Sequence, residues 1–444
     1  MSEFKTPASP AEFQENFAQI KPLMTANQAH FESARCLFCY DAPCVTACPT
    51  GIDIPLFIKQ IHSGNVQGAA RTIYESNYFG HACGKVCPTE VLCEGSCVYH
   101  HQGVNAIEIG RLQSFATHKA MTENMSINPK PSKTGIGRVA VVGAGPAGIA
   151  CACELRKAGV EVDVFEAKAM GSGLTVYGVA PYKITNEEAL SELDYLQRQF
   201  GFRVHYNSPV QSADDISRLE AGYNAVFLGI GLGKTAALGI PGEDLPGVMG
   251  AVEFVEGLRM QQEKVKVPAQ VIVLGAGNTA MDAASESARM GAAEVTLVYR
   301  RSREAMGAYF FEYELAKSVG VKAVFNAAPL RILGNEKAES VEFIRTREEN
   351  GRLENIPGSE FTLPAGLILK ATGQSKQRDF LSLISGLELE ANGNIRADKQ
   401  TFRTGNPTFY SAGDAISGGQ EVVNAVADGK KAAQAICKAI GAYS

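Results

Sequence analysis

The stretch Val139 to Glu166, VAVVGAGPAGIACACELRKAGVEVDVFE, constrains the chain more than any other. Four apolar residues run into Gly143-x-Gly145-x-x-Gly148, an Ala-rich helical pattern follows, and a second apolar run, Val160 to Phe165, ends on the acid Glu166. That order predicts strand, tight turn, helix and strand. Gly143 permits the sharp turn, Gly145 lets backbone approach a ligand, and Gly148 allows close packing of helix on sheet, while the helix N-terminus offers free N–H groups to a pyrophosphate. Glu166 is placed to accept hydrogen bonds from ribose hydroxyls. A Gly-rich turn occurs by chance; the second strand and its terminal acid make this one a dinucleotide site.

At 444 residues there is room for about three domains, each with its own core. A net charge of −5 speaks against nucleic acid or an anionic membrane as the main partner. No apolar run approaches the roughly 20 residues that span a bilayer, and MSEFKTPASPAEF has no basic-then-apolar signal pattern. A cytoplasmic protein is expected. Eight of the eleven cysteines fall between Cys36 and Cys97, which without a secretion signal points to metal binding rather than disulfides.

Taken in order, the chain opens with a helical, loop-rich segment to about residue 125, in which Phe17, Ile20, Leu23 and later Phe57, Ile58, Ile61 recur at helical spacing. Ser126 to Gly135, polar and with two prolines, reads as a linker. Past the strand at Val139 the α/β region runs to PGEDLPGVMGAVEF near residue 245, a second Pro/Gly-rich crossing, and then to a second strand and glycine turn from Val271 to Ala280. There is no tandem repeat of 20 to 50 residues. What repeats is the nucleotide-binding unit, once for each of two cofactors.

The cysteines form two groups, Cys36-x2-Cys39-x4-Cys44-x3-Cys48-Pro49 and Cys83-x3-Cys87-Pro88 followed by Cys93 and Cys97. Spacing of the first kind wraps a loop so that three thiolates converge on one metal cluster while the fourth, before proline, points to another. The Cys-Pro signature occurs twice, so two [4Fe–4S] clusters are expected. Structural zinc is the alternative, but zinc sites of this sort pair two close doublets and only one Cys-x2-Cys exists here.

In the second turn, Gly275-x-Gly277-x-x-Ala280, Asn278 and Thr279 open the helix. Its following strand, Val295 to Tyr299, ends on Arg300-Arg301-Ser302-Arg303 rather than on an acid. Arginines there can pair with the adenosine 2′-phosphate of NADPH, which an acid would repel, so NADPH is expected over NADH. Two later stretches complete the first site: Ile368 to Gln374, with Thr372-Gly373, and Phe409 to Ile416, with Gly413-Asp414. The acid can bond the ribityl chain of a flavin. The helix after it, with Val422, Val423, Val426, Ala427 and Ala433 as its apolar stripe, can bring its positive end near the flavin.

The whole chain resembles the electron-input half of dihydropyrimidine dehydrogenase and is similar to the small subunit of NADPH-dependent glutamate synthase, members of one flavin and iron–sulfur family. DAPC-x3-CP at Asp41 to Pro49, HACGKVCPTEVLCEGSC at His81 to Cys97, and IEIGRLQSFAT at Ile107 to Thr117 carry the closer likeness to the dehydrogenase. The resemblance implies crossed ligands: Cys36, Cys39, Cys44 and Cys97 on one cluster, Cys48, Cys87, Cys93 and Gln113 on the other, with Cys83 a bystander. It further implies an α-helical iron–sulfur domain over residues 1–130, then two α/β Rossmann-like domains of disulfide-reductase type. FAD would lie on the outer one, 136–248 and 364–444, with Gly173 and Leu174 at its site, and NAD(P)H on the inserted one, 249–363. The chain departs from the family at Gly171-Ser172-Gly173, at YGVAPYKIT, and in RRSREAMGAYFFE, where Gly307 replaces a proline and Phe310 and Phe311 stand near expected acids.

NADPH delivers two electrons at once and an iron–sulfur cluster passes one, so a flavin between them must split the pair. That step demands orientation and exclusion of water, and no acid–base residue, so no catalytic side chain is named. The three domains consume the chain, so an FMN-containing catalytic subunit is the expected partner in a hetero-oligomer that reduces uracil or thymine. A glutamate synthase subunit and a ferredoxin–NADP oxidoreductase are the enzymatic alternatives, and a redox-sensing or assembly protein the non-enzymatic one.

Overall fold

The computed structural model describes residues 4–128 and 135–442, so residues 129–134 of the expected linker lie outside the described residues. Two compact units emerge: Ile20–Val176, Lys183–Leu232 and Lys376–Ser444 form one, and Met1–Gln19, Tyr177–Tyr182 and Gly233–Ser375 the other.

The first unit begins with short helices, among them Ala26–Ala34, Ile54–His62, Val66–Ser76, Gly80–Val86 and Ile109–Thr122. Most open on a side-chain cap: Thr25 in a capping box with Gln28, Asp53 on Leu56 N–H, and Asn65 on Gly68 N–H. Phe57, Ile58 and Ile61 fall on one face of their helix and pack with Ile52, Ile73 and Leu112, as their spacing predicts. Each buried side chain of this size contributes roughly 1.5–3 kcal/mol. Of the clustered cysteines, Cys83 lies in Gly80–Val86 and Cys44 in the single turn Pro43–Thr46, and the other six sit in the loops between helices.

The same unit holds a five-stranded parallel sheet in the order Phe409–Ser411, Ala225–Leu228, Arg138–Val142, Glu161–Phe165, Arg203–His205. Its central strand is a continuous apolar run because helices cover both faces. Pro146 starts the helix Pro146–Lys157 directly after the glycine turn, and the C-terminal helix Val422–Ala439 packs against it. That crossing is close: a Cβ on Gly429 would stand 2.1 Å from the Ala147 carbonyl oxygen.

In the second unit another five-stranded parallel sheet runs in the order Val248–Gly250, Leu367–Lys370, Gln270–Leu274, Glu294–Val298, Lys322–Val324. An antiparallel sheet of Ala327–Leu333, Ser340–Glu349, Arg352–Asn355 and Phe361–Pro364 flanks it. Two expected boundaries move. Leu367–Lys370 pairs with Gln270–Leu274 and Val248–Gly250, so the second unit spans Gly233 to Ser375 rather than 249–363. The chain's first nineteen residues belong here too, because Phe13 and Phe17 stack at 4.3 Å and bury themselves with Tyr182, Ala283 and Leu297. Phe17, Ile20 and Leu23 therefore share no helix: Pro10–Asn16 ends before them, and Ile20 is exposed.

Candidate functional site

Two cavities in the helical segment divide the cysteines. One is lined by Cys36, Cys39, Cys44 and Cys97, the other by Cys48, Cys87, Cys93, Cys83 and Gln113, and Ile54 stands in both walls. The crossing follows from local structure. A single helical turn, Pro43–Thr46, with proline at its first position, carries Cys44 toward one cavity and releases Cys48 to the next. Phe38, at φ +50°, bends the Cys36–Cys39 loop back on itself. Among the described residues no three His, Cys, Asp or Glu side chains close round a single ion. Thiolates are the ligands that a four-iron cage takes.

Gln113 is 6% exposed; its Nε2 donates to the Gly80 carbonyl at 2.6 Å, and Oε1 makes no hydrogen bond among the described residues. Gln113 lines the second cavity beside these thiols. Cys83 is buried beside it, in the cavity wall it shares with Cys87. Burial, with Cys36 and Cys97 close by, pushes the Cys44 thiol up to about 12, and burial raises Cys36 and Cys93 as well. Cys87 goes up through its hydrogen bond with Cys83 and then through burial. Cluster binding reverses this, since iron requires thiolates, and releases the protons.

At the first glycine turn the geometry separates the three glycines by task. A Cβ on Gly148 would stand 2.0 Å from the Gly143 carbonyl oxygen, whereas one on Gly145 meets nothing nearer than Gly173 Cα at 3.8 Å. Gly148 is required by the protein; the space beside Gly145 is left for something else. Glu166 ends its strand with Oε2 accepting from Ala144 N–H at 2.8 Å and Oε1 from Lys168 N–H, which fixes the acid beside the turn. Gly173 lies against Gly145, and Leu174, partly exposed, begins the next helical turn. Ser172 adopts φ +77° and is buried, its Oγ 2.5 Å from Thr175 Oγ1, in a position that favours glycine. Gly413, at φ +71°, presents Asp414, whose carboxyl burial pushes up against a bond from Gln420 N–H.

Thr372 and Gly373 belong to the second unit. They follow Leu367–Lys370 in the second sheet, where Ala371 lies under the other turn: a Cβ on Gly275 would be 2.3 Å from the Ala371 carbonyl oxygen. The apolar run before them pairs with the strand of the inserted fold, and that decides their unit. Gly277, like Gly145, has nothing within 4 Å of its Cβ position. Asn278 Oδ1 accepts from Tyr309 N–H, and Thr279 is exposed at the helix start. Arg300 and Arg301 are exposed with no ion pair among the described residues, while their carbonyls accept from Thr346 Oγ1 and Asn326 N–H. Arg303 turns away, 3.7 Å from Glu314 and over the Tyr313 ring.

Some participants were not visible in the sequence. Val423, at the start of the C-terminal helix, lines the second cysteine cavity with Asn77 and Thr89. Glu154 and Glu192, both buried, accept from Tyr78 and Tyr74. The only sequence sign was a pair of tyrosines four apart in YESNY.

Two nucleotide folds, one interrupting the other in sequence, with a helical segment holding two thiol-lined cavities, define an iron–sulfur flavoprotein that uses a pyridine nucleotide. Residues 137–429 match the model of the pyridine nucleotide-disulphide oxidoreductase family, and residues 13–125 that of dihydropyrimidine dehydrogenase domain II, 4Fe-4S cluster. The chain belongs to the pyridine nucleotide-disulphide oxidoreductase family and carries that 4Fe–4S domain ahead of it. It is 33% identical to the glutamate synthase [NADPH] small chain of Halomonas elongata, over 96% of this chain and 93% of that one. It is also 33% identical to the NAD-dependent dihydropyrimidine dehydrogenase subunit PreT of Escherichia coli, over 95% and 97%. Among solved structures, FprA of Mycobacterium tuberculosis in complex with NADPH shares the fold, with a TM-score of 0.58 at 23% identity over 69% of this chain and 84% of that one. The cofactors follow from the families: 4Fe–4S clusters in the helical segment, and FAD and a nicotinamide nucleotide on the two glycine turns. No helix among the described residues is long and apolar enough to cross a membrane.

Proposed function

We propose that this chain is a cytoplasmic electron-input subunit, taking a hydride from NADPH and delivering single electrons to a partner chain that reduces uracil or thymine. The observation that carries it is the partition of donors: four cysteines line one cavity, and Cys48, Cys83, Cys87, Cys93 and Gln113 line a neighbour that Val423 of the C-terminal helix also lines. The clusters supply one-electron carriers and FAD the conversion from hydride to single electrons. The chain's own residues hold and orient. Gly145 and Gly277 leave room for the two pyrophosphates at helix N-termini, Glu166 and Asp414 take the ribose and ribityl hydroxyls, and Arg300 and Arg301 take the 2′-phosphate. Gly80, by accepting from Nε2, holds the Gln113 amide in place.

A second reading is a glutamate synthase subunit, favoured by the 33% identity to that small chain. Both readings share the input half and differ in the partner. The test is anaerobic addition of NADPH to purified protein containing about eight irons and one FAD. Its flavin should bleach within a turnover and ferricyanide should then be reduced; a flavin inert to both nicotinamides would favour a redox-sensing or assembly protein.

A further inference from the structure

Glu192 lines neither cavity, yet it meets the start of the helix that leads into the second. The helix Gly80–Val86, which leads into Cys87, has seven residues and no side-chain N-cap of its own. A helix so short has no stability alone, and its first N–H groups must find acceptors. They find one carboxylate: Glu192, 1% exposed, accepts His81 N–H on Oε1 at 2.6 Å and Ala82 N–H on Oε2 at 2.9 Å, and Tyr74 O–H on Oε1 at 3.1 Å. Burial pushes this carboxyl up, and His81, the two N–H groups and the Tyr74 O–H oppose that shift. One turn earlier on the same helix, Asn186–Phe200, Glu188 meets Lys85 at 3.0 Å, gripping the other end of the short helix. Nearby, Tyr78 O–H donates to Glu154 of the glycine-turn helix, which also accepts from Gln434 of the C-terminal helix.

We propose that Glu192 is a positioning residue for the second cysteine cavity, closing the N-terminus of Gly80–Val86 and so setting Cys87, Gly80 and, through the Gly80 carbonyl, Gln113. The first nucleotide fold thereby sets the geometry and the electrostatic field of the neighbouring cavity. In its ionised form the carboxylate sets a negative charge behind the helix, which disfavours adding an electron to whatever that cavity holds. This rests on the reading that the cavity holds a 4Fe–4S cluster.

The test uses the full chain, purified anaerobically, as the parent, Glu192→Gln and Tyr74→Phe. Iron and flavin per chain are counted, and the dithionite-reduced protein is followed by EPR during a redox titration. Glu192→Gln removes the charge and turns an NH2 toward a backbone N–H; it should raise the midpoint potential and shift the g values of one of two cluster signals, leaving the other and the flavin unchanged. Tyr74→Phe keeps the charge and removes one donor, so its shift should be smaller and opposite in sign. If Glu192→Gln does not fold, Tyr74→Phe decides alone. Unchanged potentials and g values at full iron content, even with a lowered melting temperature, overturn the positioning role. Iron well below about eight per chain in the parent overturns the cluster reading beneath it.

Discussion

Gly145→Ala and Gly148→Ala, the same change three residues apart, should fail for opposite reasons. At Gly148 the new methyl would stand 2.0 Å from the Gly143 carbonyl oxygen and 3.2 Å from Val141 Cγ1. The first obstacle is backbone and cannot rotate away, so the helix Pro146–Lys157 must lift off its strand by more than a bond's tolerance. Overpacking of this severity costs about 3 kcal/mol, which lowers the melting temperature by roughly 6–12 °C. At Gly145 the backbone is extended, φ −79° and ψ −179°, which alanine adopts freely, and the nearest atom is 3.8 Å away. The fold should change by less than about 1 kcal/mol. The methyl would instead occupy the approach of the pyrophosphate, costing about one charge-assisted hydrogen bond, roughly 1.5–3 kcal/mol or ten- to a hundredfold in FAD affinity. The assay is flavin per chain after gel filtration, beside thermal melts with and without added FAD. Gly145→Ala that keeps its flavin at parental affinity, or Gly148→Ala that melts with the parent, would refute the division of roles.

Three further outcomes follow from the site. Arg300→Ala should lower NADPH affinity about ten- to a hundredfold, roughly 1.5–3 kcal/mol, and leave NADH nearly unchanged; an equal loss for both would remove the 2′-phosphate assignment. Cys83→Ser should keep about eight irons, whereas Gln113→Ala should disturb one cluster; half the iron lost in the former and none in the latter would reverse the ligand set. Burial pushes the Glu188 carboxyl up, but His81, the Thr185 N–H and Lys85 outweigh it and hold it well below the usual carboxylate range. Such a group lends stability above its unfolded pKa of about 4.3 and loses it as pH falls through the folded value. Burial meanwhile lowers Lys85. Glu188→Gln, followed by urea melts across pH, should flatten the acid limb and cost about 3 kcal/mol at neutral pH by stranding Lys85 from this partner.

What the sequence could reveal was set by range. Gly143, Gly145 and Gly148 announce strand, turn and helix because each acts within a few residues, and the cysteines of the two Cys-Pro groups line two cavities. Ile368 to Gln374 reads as part of the first site, yet its strand lies in the second sheet, because an apolar run before a glycine turn carries no information about its partner strand; pairing with Gln270–Leu274 is a tertiary choice. Phe17 and Ile20 shared a helical period but not a helix, since Phe17 is drawn to Tyr182, distant in the chain. Glu192 was invisible for the same reason: its donors at Tyr74, His81 and Ala82 lie more than a hundred residues away.

The central claim is that this chain gathers electrons and another chain spends them. Uracil-dependent NADPH oxidation, with dihydrouracil quantified, tests it in three mixtures: this chain alone, an FMN-containing pyrimidine-reducing partner alone, and both. The account predicts product only with both present, although NADPH bleaches the flavin of this chain in either mixture that contains it. Dihydrouracil formed by this chain alone, at a rate matching its NADPH oxidation, would contradict it.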